Sequence, residues 1–241
     1  MSAPLPFELE ALRKAVNYQR WVADAVRPYL GESILEVGSG LGSMSRWLPV
    51  RKKLVLTECE PALLEELRAT ARRQFGDDPR VNVAAGDVTR DLPPELSAGQ
   101  FDTLVSFNVL EHIADDTGAL GRMARLLRKP GGRIVSFVPA HAWAFGSIDT
   151  VYGHVRRYSS RSFAELAARA CPGGRLEARY FNAFGLPGWI LMGRVLRRRS
   201  IDIRAIDLFE KLCPYIRGLD DAMHRYLKLP LGQSLLAVIT L

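Results

Sequence analysis

Short apolar runs alternate with stretches of helical periodicity along the first two thirds of the chain. The apolar runs predict buried β-strands at residues 33–37, 53–57, 81–84, 103–107 and 133–138. Runs of this kind are typical of a parallel sheet that is covered on both faces. Helical patterns lie between them, at residues 43–48, 61–75 and 117–127. The alternation predicts right-handed βαβ units and an α/β fold with helices on both faces of the sheet.

The two ends of the chain complete this core. Residues 8–30 predict an N-terminal helix, and a helix at 161–170 leads to a sixth strand at 176–181. A seventh strand at 234–241 follows only after about fifty residues, far more than an ordinary connection. We therefore predict one domain over residues 1–241 with a seven-stranded, mostly parallel sheet. Its predicted parts are a helical cap (1–30), a core (31–182), a helical lid inserted before the last strand (183–232) and a closing strand (233–241).

The insertion combines apolar and basic residues. Its segment 186–199 contains Trp189 in an apolar run and ends in arginines, but it is too short to span a bilayer. A second helical pattern follows, with a bend expected at Pro214. Its apolar residues recur at spacings of three and four, at Ile206, Phe209, Leu212, Ile216, Leu219 and Met223. We expect the insertion to form a lid over the ligand pocket of the domain, and the alternatives are contact of 186–199 with a membrane surface or a homodimer interface.

Composition and charge narrow the classes of function. The 241 residues have a formal net charge of +7, and much of the excess lies at Arg194, Arg197, Arg198, Arg199 and Arg204. A local basic cluster is weaker evidence for nucleic acid than a basic face across a whole domain, so no nucleic-acid partner is expected. We find no membrane-spanning run and no signal peptide, which predicts a cytoplasmic protein, with peripheral membrane attachment as the alternative. The three cysteines are too widely spaced for a disulfide framework or a zinc site, and we identify no metal site.

A glycine-rich turn follows the first predicted strand, with the pattern Glu-x-Gly-x-Gly-x-Gly at residues 36–42. Glycines there let a ligand approach the backbone closely. Nicotinamide-dependent oxidoreductases share such turns, so the turn alone leaves that function open. The acid at the start and the early third glycine depart from the dinucleotide fingerprint, however. The pattern resembles the first motif of the class I methyltransferases that use S-adenosylmethionine (SAM), which makes Glu36, Gly38, Gly40 and Gly42 candidate cofactor-binding residues.

Later segments continue this resemblance in the order of the family. Glu58 ends the second predicted strand, where a carboxylate can accept hydrogen bonds from both ribose hydroxyls. Asp87 and Val88 follow the third strand, where the family places an acid that accepts from the adenine amino group. Asn108 begins a segment that is similar to the family's loop under the methionine end of SAM, and Tyr18 is a further candidate contact. The resemblance implies a Rossmann-like fold, SAM as cofactor and S-adenosylhomocysteine as product.

The acceptor side of the predicted site carries weaker signals. After the fourth strand, the chain lacks the Asn/Asp-Pro-Pro-aromatic signature of enzymes that methylate base amines of DNA or glutamine amides. A small-molecule or lipid-like acceptor is therefore favoured, with transfer to oxygen or nitrogen. After the fifth strand, Gly-His-Val-Arg-Arg-Tyr at 153–158 is similar to a segment of bacterial small-molecule methyltransferases. His154 is the first candidate for a substrate-side base or hydrogen-bond donor, His112 the second, and Arg157 and Tyr158 are candidates for binding a polar or anionic group.

Two alternatives to this assignment stay open. His154 and Tyr158 could hold the loop together while Ser159 or Ser160 caps the next helix. The chain could also be a module that binds SAM without catalysing transfer. The sequence does not separate these alternatives, because alignment of a nucleophile with the methyl group needs no catalytic triad.

Overall fold

The computed structural model describes residues 13–90, 92–94, 96–200 and 202–241. The strands are β1 (Ser33–Val37), β2 (Lys53–Glu58), β3 (Val81–Ala85), β4 (Thr103–Phe107), β5 (Arg133–Pro139), β6 (Arg175–Phe181) and β7 (Ser234–Thr240). They form one sheet in the order β3-β2-β1-β4-β5-β7-β6. Strand β7 is antiparallel to β5 and β6, and the remaining neighbours are parallel. The predicted seven-stranded, mostly parallel Rossmann-like sheet is confirmed.

Helices cover both faces of this sheet. They are α1 (Val16–Val26), α2 (Pro61–Phe75), α3 (Asp116–Leu126), α4 (Ser147–Val151), α5 (Ser160–Ala170), α6 (Gly185–Ile190) and α7 (Ile203–Tyr226). Successive residues of β1 point to opposite faces, and all five are buried. Leu35 packs in the cluster with α3 and α5, whereas Ile34 packs in the cluster with α1 and α2. Because the central strands are buried on both faces, their sequences lack polar alternation.

One predicted helix is wrong. Residues 43–48 do not form an α-helix, and only a 3₁₀ turn is present, at Ser45–Trp47. The amides of Trp47 and Leu48 bond to carbonyls three residues earlier, and Pro49 follows directly. A residue before proline is disfavoured in the helical region, which stops the turn from growing into a helix.

The insertion after β6 is helical, as predicted. It consists of α6, a π-helical turn at Leu191–Val195, and α7. Helix α7 continues through Pro214, the site of the predicted bend, and packs on α1 and β6. In the predicted segment 8–30, Arg13 and Lys14 are helical, the helix is interrupted at Ala15, and α1 begins at Val16. The first part of the segment, up to residue 12, lies outside the described residues. No helix in the described ranges is long and apolar enough to cross a membrane.

Candidate active site

The glycine-rich turn lies directly after β1, at the carboxyl edge of the sheet. Gly38, Gly40 and Gly42 have φ angles of 66°, 55° and 73°, a region that favours glycine. A Cβ on Gly38 would lie 2.7 Å from Cγ2 of Val109, so the turn contacts the segment that follows β4. In parallel α/β sheets, ligands bind beyond the carboxyl ends of the strands. The turn therefore lies at the expected edge of the sheet and adjoins the loop predicted to lie under the methionine end of SAM.

Glu58 ends β2 and faces the same turn. Its Oε2 accepts a hydrogen bond from the Gly40 amide at 2.8 Å, and its Oε1 accepts from the amides of Cys59 and Glu60 at 2.8 and 3.1 Å. Three backbone donors thus fix the carboxylate against the turn. A carboxylate held in this way can accept further hydrogen bonds from hydroxyl groups of a ligand, since each of its oxygens has two lone pairs.

Glu36 lies beneath the turn and is fully buried. The Ser45 hydroxyl donates to its Oε2. Burial raises the pKa of Glu36 to about 7, and the nearby charge of Glu58 acts in the same direction, against the hydrogen bonds from Ser45 and Ser39. A buried carboxyl of this kind becomes easier to ionise when a cationic ligand approaches.

Three more predicted cofactor residues, Asp87, Val88 and Asn108, follow the ends of two other strands. Asp87 follows β3, and its Oδ1 accepts from the amide and hydroxyl of Thr89 at 2.8 and 2.6 Å. The neighbouring Val88 buries its side chain in the core. Asn108 follows β4 in the left-handed region, with a φ of 52°. Asp87 and Asn108 thus stand beyond carboxyl strand ends, as predicted, and their contacts with SAM stay predictions.

Tyr18 occupies a different place. Its ring packs edge-on against Trp21, Phe181 and Phe209. Burial raises the pKa of its hydroxyl to about 12, with Ser234 as a hydrogen-bonding neighbour. In the order of the sheet, β4, β5 and β7 separate β6, where Phe181 lies, from β1 and its glycine turn. The structure gives Tyr18 a packing role between α1, α7 and β6, and a contact with the cofactor stays a prediction.

His154 is held by a buried carboxylate. Its Nδ1 lies 2.8 Å from Oδ1 of Asp149, and Nε of Arg157 donates to the same oxygen at 2.7 Å. Asp149 Oδ2 accepts from the Gly146 amide at 2.8 Å. Burial works against the charge of Asp149, yet the hydrogen bonds from His154 and Arg157 keep the pKa of that carboxyl below its usual value. An ionised carboxylate only accepts, so the proton of neutral His154 is on Nδ1 and Nε2 is an acceptor.

Two residues of the turn after β4 face His154. The ring centroids of His112 and His154 are 4.8 Å apart, edge to face. Burial, and then the charge of His154, lower the pKa of His112 to about 4, so its imidazole is neutral at physiological pH. Glu111 is fully buried, with Oε1 4.0 Å from Nε2 of His154. The structure thus brings together the two histidines predicted from sequence and adds Glu111.

Arg157 and Tyr158 are used inside the protein, which argues against their predicted role in binding the acceptor. The Arg157 guanidinium is buried, donates to Asp149 and to the Ala140 carbonyl, and lies over the Trp189 ring. The Tyr158 hydroxyl lies 2.9 Å from a carboxylate oxygen of Asp116 and 3.1 Å from the Leu110 carbonyl oxygen. Burial raises the pKa of this hydroxyl well above its usual value. Both side chains brace the loop, which is the alternative that the sequence left open for Tyr158.

Three residues of this cluster escaped prediction. Asp149 and Glu111 each had a usable signal, since one acid lies five residues before His154 and the other directly precedes His112. His141 had a weaker one, its place directly after Ala140 beyond β5. It has a φ of 64°, stacks on Tyr180 at 4.6 Å and is buried, with no hydrogen-bond partner for Nε2 among the described residues.

Comparison with known proteins finds a family that is similar to the segment from the end of β1, through the glycine turn, to the start of β5. Residues 35–134 match the methyltransferase domain family. A 37.1 kDa protein of transposon TN4556 from Streptomyces fradiae is 31% identical over 176 residues, which are 71% of this chain and 48% of that protein. Demethylmenaquinone methyltransferase from Clavibacter sepedonicus is 32% identical over 123 residues, 49% of this chain and 47% of the relative. The chain therefore spans about half the length of these two relatives.

A solved structure shows the same fold over almost the whole chain. It is the complex of the Haloferax volcanii Trm112 methyltransferase activator with a methyltransferase, and it matches with a TM-score of 0.59 and 20% identity. The match covers 97% of this chain and 95% of the other. The SAM-dependent methyltransferase from Mesorhizobium loti also shares the fold, with a TM-score of 0.58 and 15% identity over 90% of this chain and 96% of the other. Residues 35–134 thus match the methyltransferase domain family, on a fold that solved methyltransferase structures share over nearly the whole chain.

Proposed function

We propose that this protein transfers the methyl group of SAM to an oxygen or nitrogen of a small-molecule or lipid-like acceptor. The observation that carries the proposal is the contact between Val109 and Gly38, which joins the cofactor turn to the segment bearing Glu111 and His112. His154 stands against that segment. A cofactor turn and an oriented histidine therefore share one edge of the sheet, where ligands of this fold bind.

Each part of the site has a distinct task in this proposal. SAM supplies an electrophilic methyl group, and the glycine turn, Glu36, Glu58, Asp87 and Asn108 bind the cofactor. Holding the acceptor in line with that methyl group contributes roughly 7 to 11 kcal/mol to lowering the barrier. His154 accepts the acceptor's proton at Nε2 because Asp149 keeps the other nitrogen protonated. His112 lies beside it as the second candidate.

The proposal is tested by assaying S-adenosylhomocysteine formation with metabolite and lipid fractions of the source organism. His154→Ala should leave SAM affinity within a factor of a few, while turnover falls about 10²-fold or more if the histidine takes a proton. His224→Ala is the matched control, because His224 also contacts an aspartate, Asp220, but lies on α7. Thermal melts of both variants separate loss of chemistry from loss of fold. Wild-type turnover in His154→Ala would contradict its role, and binding of NAD without SAM would contradict the proposed function.

The lipid-like class of acceptor is supported by the surface of the insertion. Leu191, Val195, Leu196 and Ile203 are exposed there beside the arginines at 194, 197, 198, 199 and 204. Exposed apolar side chains flanked by cations are typical of elements that lie on an anionic lipid surface. We therefore propose peripheral membrane contact through 186–199, and a cytoplasmic location with that contact. The relative from Clavibacter sepedonicus is named for demethylmenaquinone as its acceptor.

The insertion is also proposed as the lid of the acceptor site. Trp189 of α6 covers the Arg157 guanidinium at 4.5 Å, and Arg157 in turn holds Asp149. The π-turn carbonyl of Gly193 accepts from the Ser147 hydroxyl at 2.9 Å. The start of the insertion thus contacts the segment that carries Asp149 and His154, through Trp189 on Arg157 and through Gly193 on Ser147.

A further inference from the structure

Glu111, His112 and His154 form a compact set of metal-ligating groups. Each offers one ligand atom, and these atoms all lie within 4.8 Å of one another. Over the described ranges of the chain it is the one set of three or more such residues with this spacing. Two residues come from the 3₁₀ turn after β4, and the third comes from the loop after α4. The set therefore depends on the fold and not on a local sequence motif.

The orientation of His154 fits a metal ligand. Its Nδ1 bonds to Asp149, which leaves Nε2 facing Glu111 at 4.0 Å. Histidines that bind metals donate their other ring N–H to a carboxylate or carbonyl in the same way, which fixes the tautomer and raises ligand basicity. Asp149 is itself fixed by Arg157 and the Gly146 amide. The supporting contacts of a metal site are thus already made by the protein.

The ligand atoms would have to move closer together to bind one ion. Zinc–nitrogen and zinc–oxygen bonds of roughly 2.0 to 2.2 Å place neighbouring ligands of a tetrahedral ion about 3.3 Å apart. The 4.0 Å between Glu111 and His154 must therefore shorten by less than an ångström. No two ligand atoms of the set lie more than 4.8 Å apart, so the largest shortening needed is about 1.5 Å. Glu111 is buried, so a cation bound beside it would favour the ionised form of its carboxyl.

We propose that Glu111, His112 and His154 bind one divalent transition metal ion of the Zn²⁺ type. Two imidazoles and one carboxylate suit such an ion and leave a coordination position open. The inference rests on the proposed methyl transfer and deepens it, because the open position takes the acceptor's hydroxyl oxygen. The metal lowers the pKa of that hydroxyl, and its proton leaves to water. The oxygen then forms a bond to the methyl carbon, while the carbon–sulfur bond breaks and its electron pair stays on sulfur. In this arrangement, Nε2 of His154 binds the metal ion instead of removing the acceptor's proton.

The test is calorimetric titration of Zn²⁺, Mn²⁺ and Mg²⁺ into the chelator-treated full chain, carrying Cys59→Ser because Cys59 is exposed. We expect one Zn²⁺ per chain. Binding should weaken at least tenfold in His112→Ala and His154→Ala. Asp149→Asn weakens the support of His154 and also the ion pair with Arg157. It should weaken Zn²⁺ binding about 10- to 100-fold, and a melting curve shows whether the variant stays folded. His224→Gln removes a histidine outside this set, on α7, and should leave the affinity unchanged.

The outcomes separate this inference from the proposed function. Absence of Zn²⁺ binding, binding of Mg²⁺ alone, or undiminished binding in the His112→Ala/His154→Ala double variant would overturn the metal site. Because His112 is exposed, His112→Ala keeps the fold, and a melting curve verifies this. Full methyl transfer by the metal-free protein would also overturn the inference while supporting the proposed function. Zn²⁺ binding without any SAM binding would support the metal site and contradict the proposed function.

Discussion

Glu36 and Glu58 lie near the carboxyl ends of the neighbouring strands β1 and β2, but their surroundings differ. Glu58 receives three backbone hydrogen bonds at the carboxyl end of β2. Glu36 is fully buried under the glycine turn and accepts the Ser45 hydroxyl. Burial makes ionisation of Glu36 unfavourable, and the Glu58 charge adds to the effect. The residue that the resemblance assigns to the cofactor therefore destabilises the cofactor-free protein when it is charged.

We predict a pH-dependent gain in stability for Glu36→Gln. The pKa of Glu36 rises from 4.5 to about 7 on folding, so its favourable contribution is complete below pH 4.5 and is lost as the pH rises through 7. Without SAM, the free energy of unfolding of Glu36→Gln relative to wild type should increase across this interval, by about 3 kcal/mol at most. Urea denaturation at several pH values measures the difference. Glu60→Gln changes an exposed residue and is the control, because its free energy of unfolding relative to wild type should stay constant over this pH range. A difference for Glu36→Gln that also stays constant would contradict the argument from burial.

Glu58→Ala should weaken SAM binding while the protein stays folded. Loss of hydrogen bonds to a charged group costs roughly 1.5 to 3 kcal/mol, and the Gly40 amide also loses its partner. Calorimetry with SAM measures the affinity. Glu60→Ala is the control, because only the backbone amide of Glu60 contacts the site through Glu58. Equal SAM affinity in wild type and Glu58→Ala would remove Glu58 from the cofactor site.

The spacing of residues in the sequence predicted which positions adopt a positive φ angle, but it did not predict which side chains point into the protein. The three glycines of the turn have the positive φ angles that their pattern implies. The segment 153–158 gave no information on which side chains point inward. Of its residues, Arg157 and Tyr158 make internal hydrogen bonds, and His154 is set by Asp149 from outside the segment. Such directions follow from packing of distant elements, which a local pattern does not contain.

At the level of elements, burial decided which boundaries could be predicted. The strands predicted at 33–37 and 103–107 coincide with β1 and β4, and the other five differ by one residue at an end. Apolar runs mark strands that are buried on both faces, as β1 and most of β4 are. The helix at 43–48 failed because Pro49 limits it to one turn. In α7, the predicted apolar positions Leu212 and Leu219 are exposed, whereas Cys213 and Asp220 are buried. The spacing of apolar residues predicted this helix correctly, but its packing against other elements determines which face is buried.

The insertion docks on α4 through a close approach of two glycines. A Cβ on Gly146 would lie 2.6 Å from the Gly193 carbonyl oxygen, which is backbone and cannot rotate away. Gly146→Ala should therefore separate α4 from the π-turn and destabilise the protein by about 1 to 3 kcal/mol, as overpacking does. Urea denaturation and limited proteolysis of the insertion measure the effect.

Gly188→Ala is the matched control for that change. Gly188 lies in α6, and a Cβ there would meet nothing within 4 Å. Alanine favours the helix by about 1 kcal/mol over glycine, so this variant should be as stable as wild type or more stable. Unchanged stability and proteolysis in Gly146→Ala would show that the insertion is not held at this point.

For the whole molecule, charge and exposed apolar surface coincide on one side of the insertion. The chain has a net charge of +7, and the exposed arginines of 194–204 lie next to exposed apolar residues of the π-turn. Helix α7 adds a further exposed row at Leu208, Leu212, Tyr215 and Leu219. Asp202 and Asp207 are acidic neighbours, so the surface is mixed near the start of α7 and basic before it. The sequence predicted the cluster of charge, but the exposure of the apolar row depends on how α7 packs.

This surface should bind vesicles that contain anionic phospholipid and not vesicles of phosphatidylcholine alone, in a co-sedimentation assay with the full chain. Each arginine near an anionic surface contributes about 1 kcal/mol, so changing Arg197, Arg198 and Arg199 to Gln should weaken binding roughly a hundredfold. Changing the exposed arginines Arg72, Arg125 and Arg169 to Gln alters the net charge equally on other helices and should have a small effect. High salt should release the protein, because surface electrostatics are screened. Absence of vesicle binding together with a dimer in light scattering would contradict membrane contact and assign the face to a second copy of the chain.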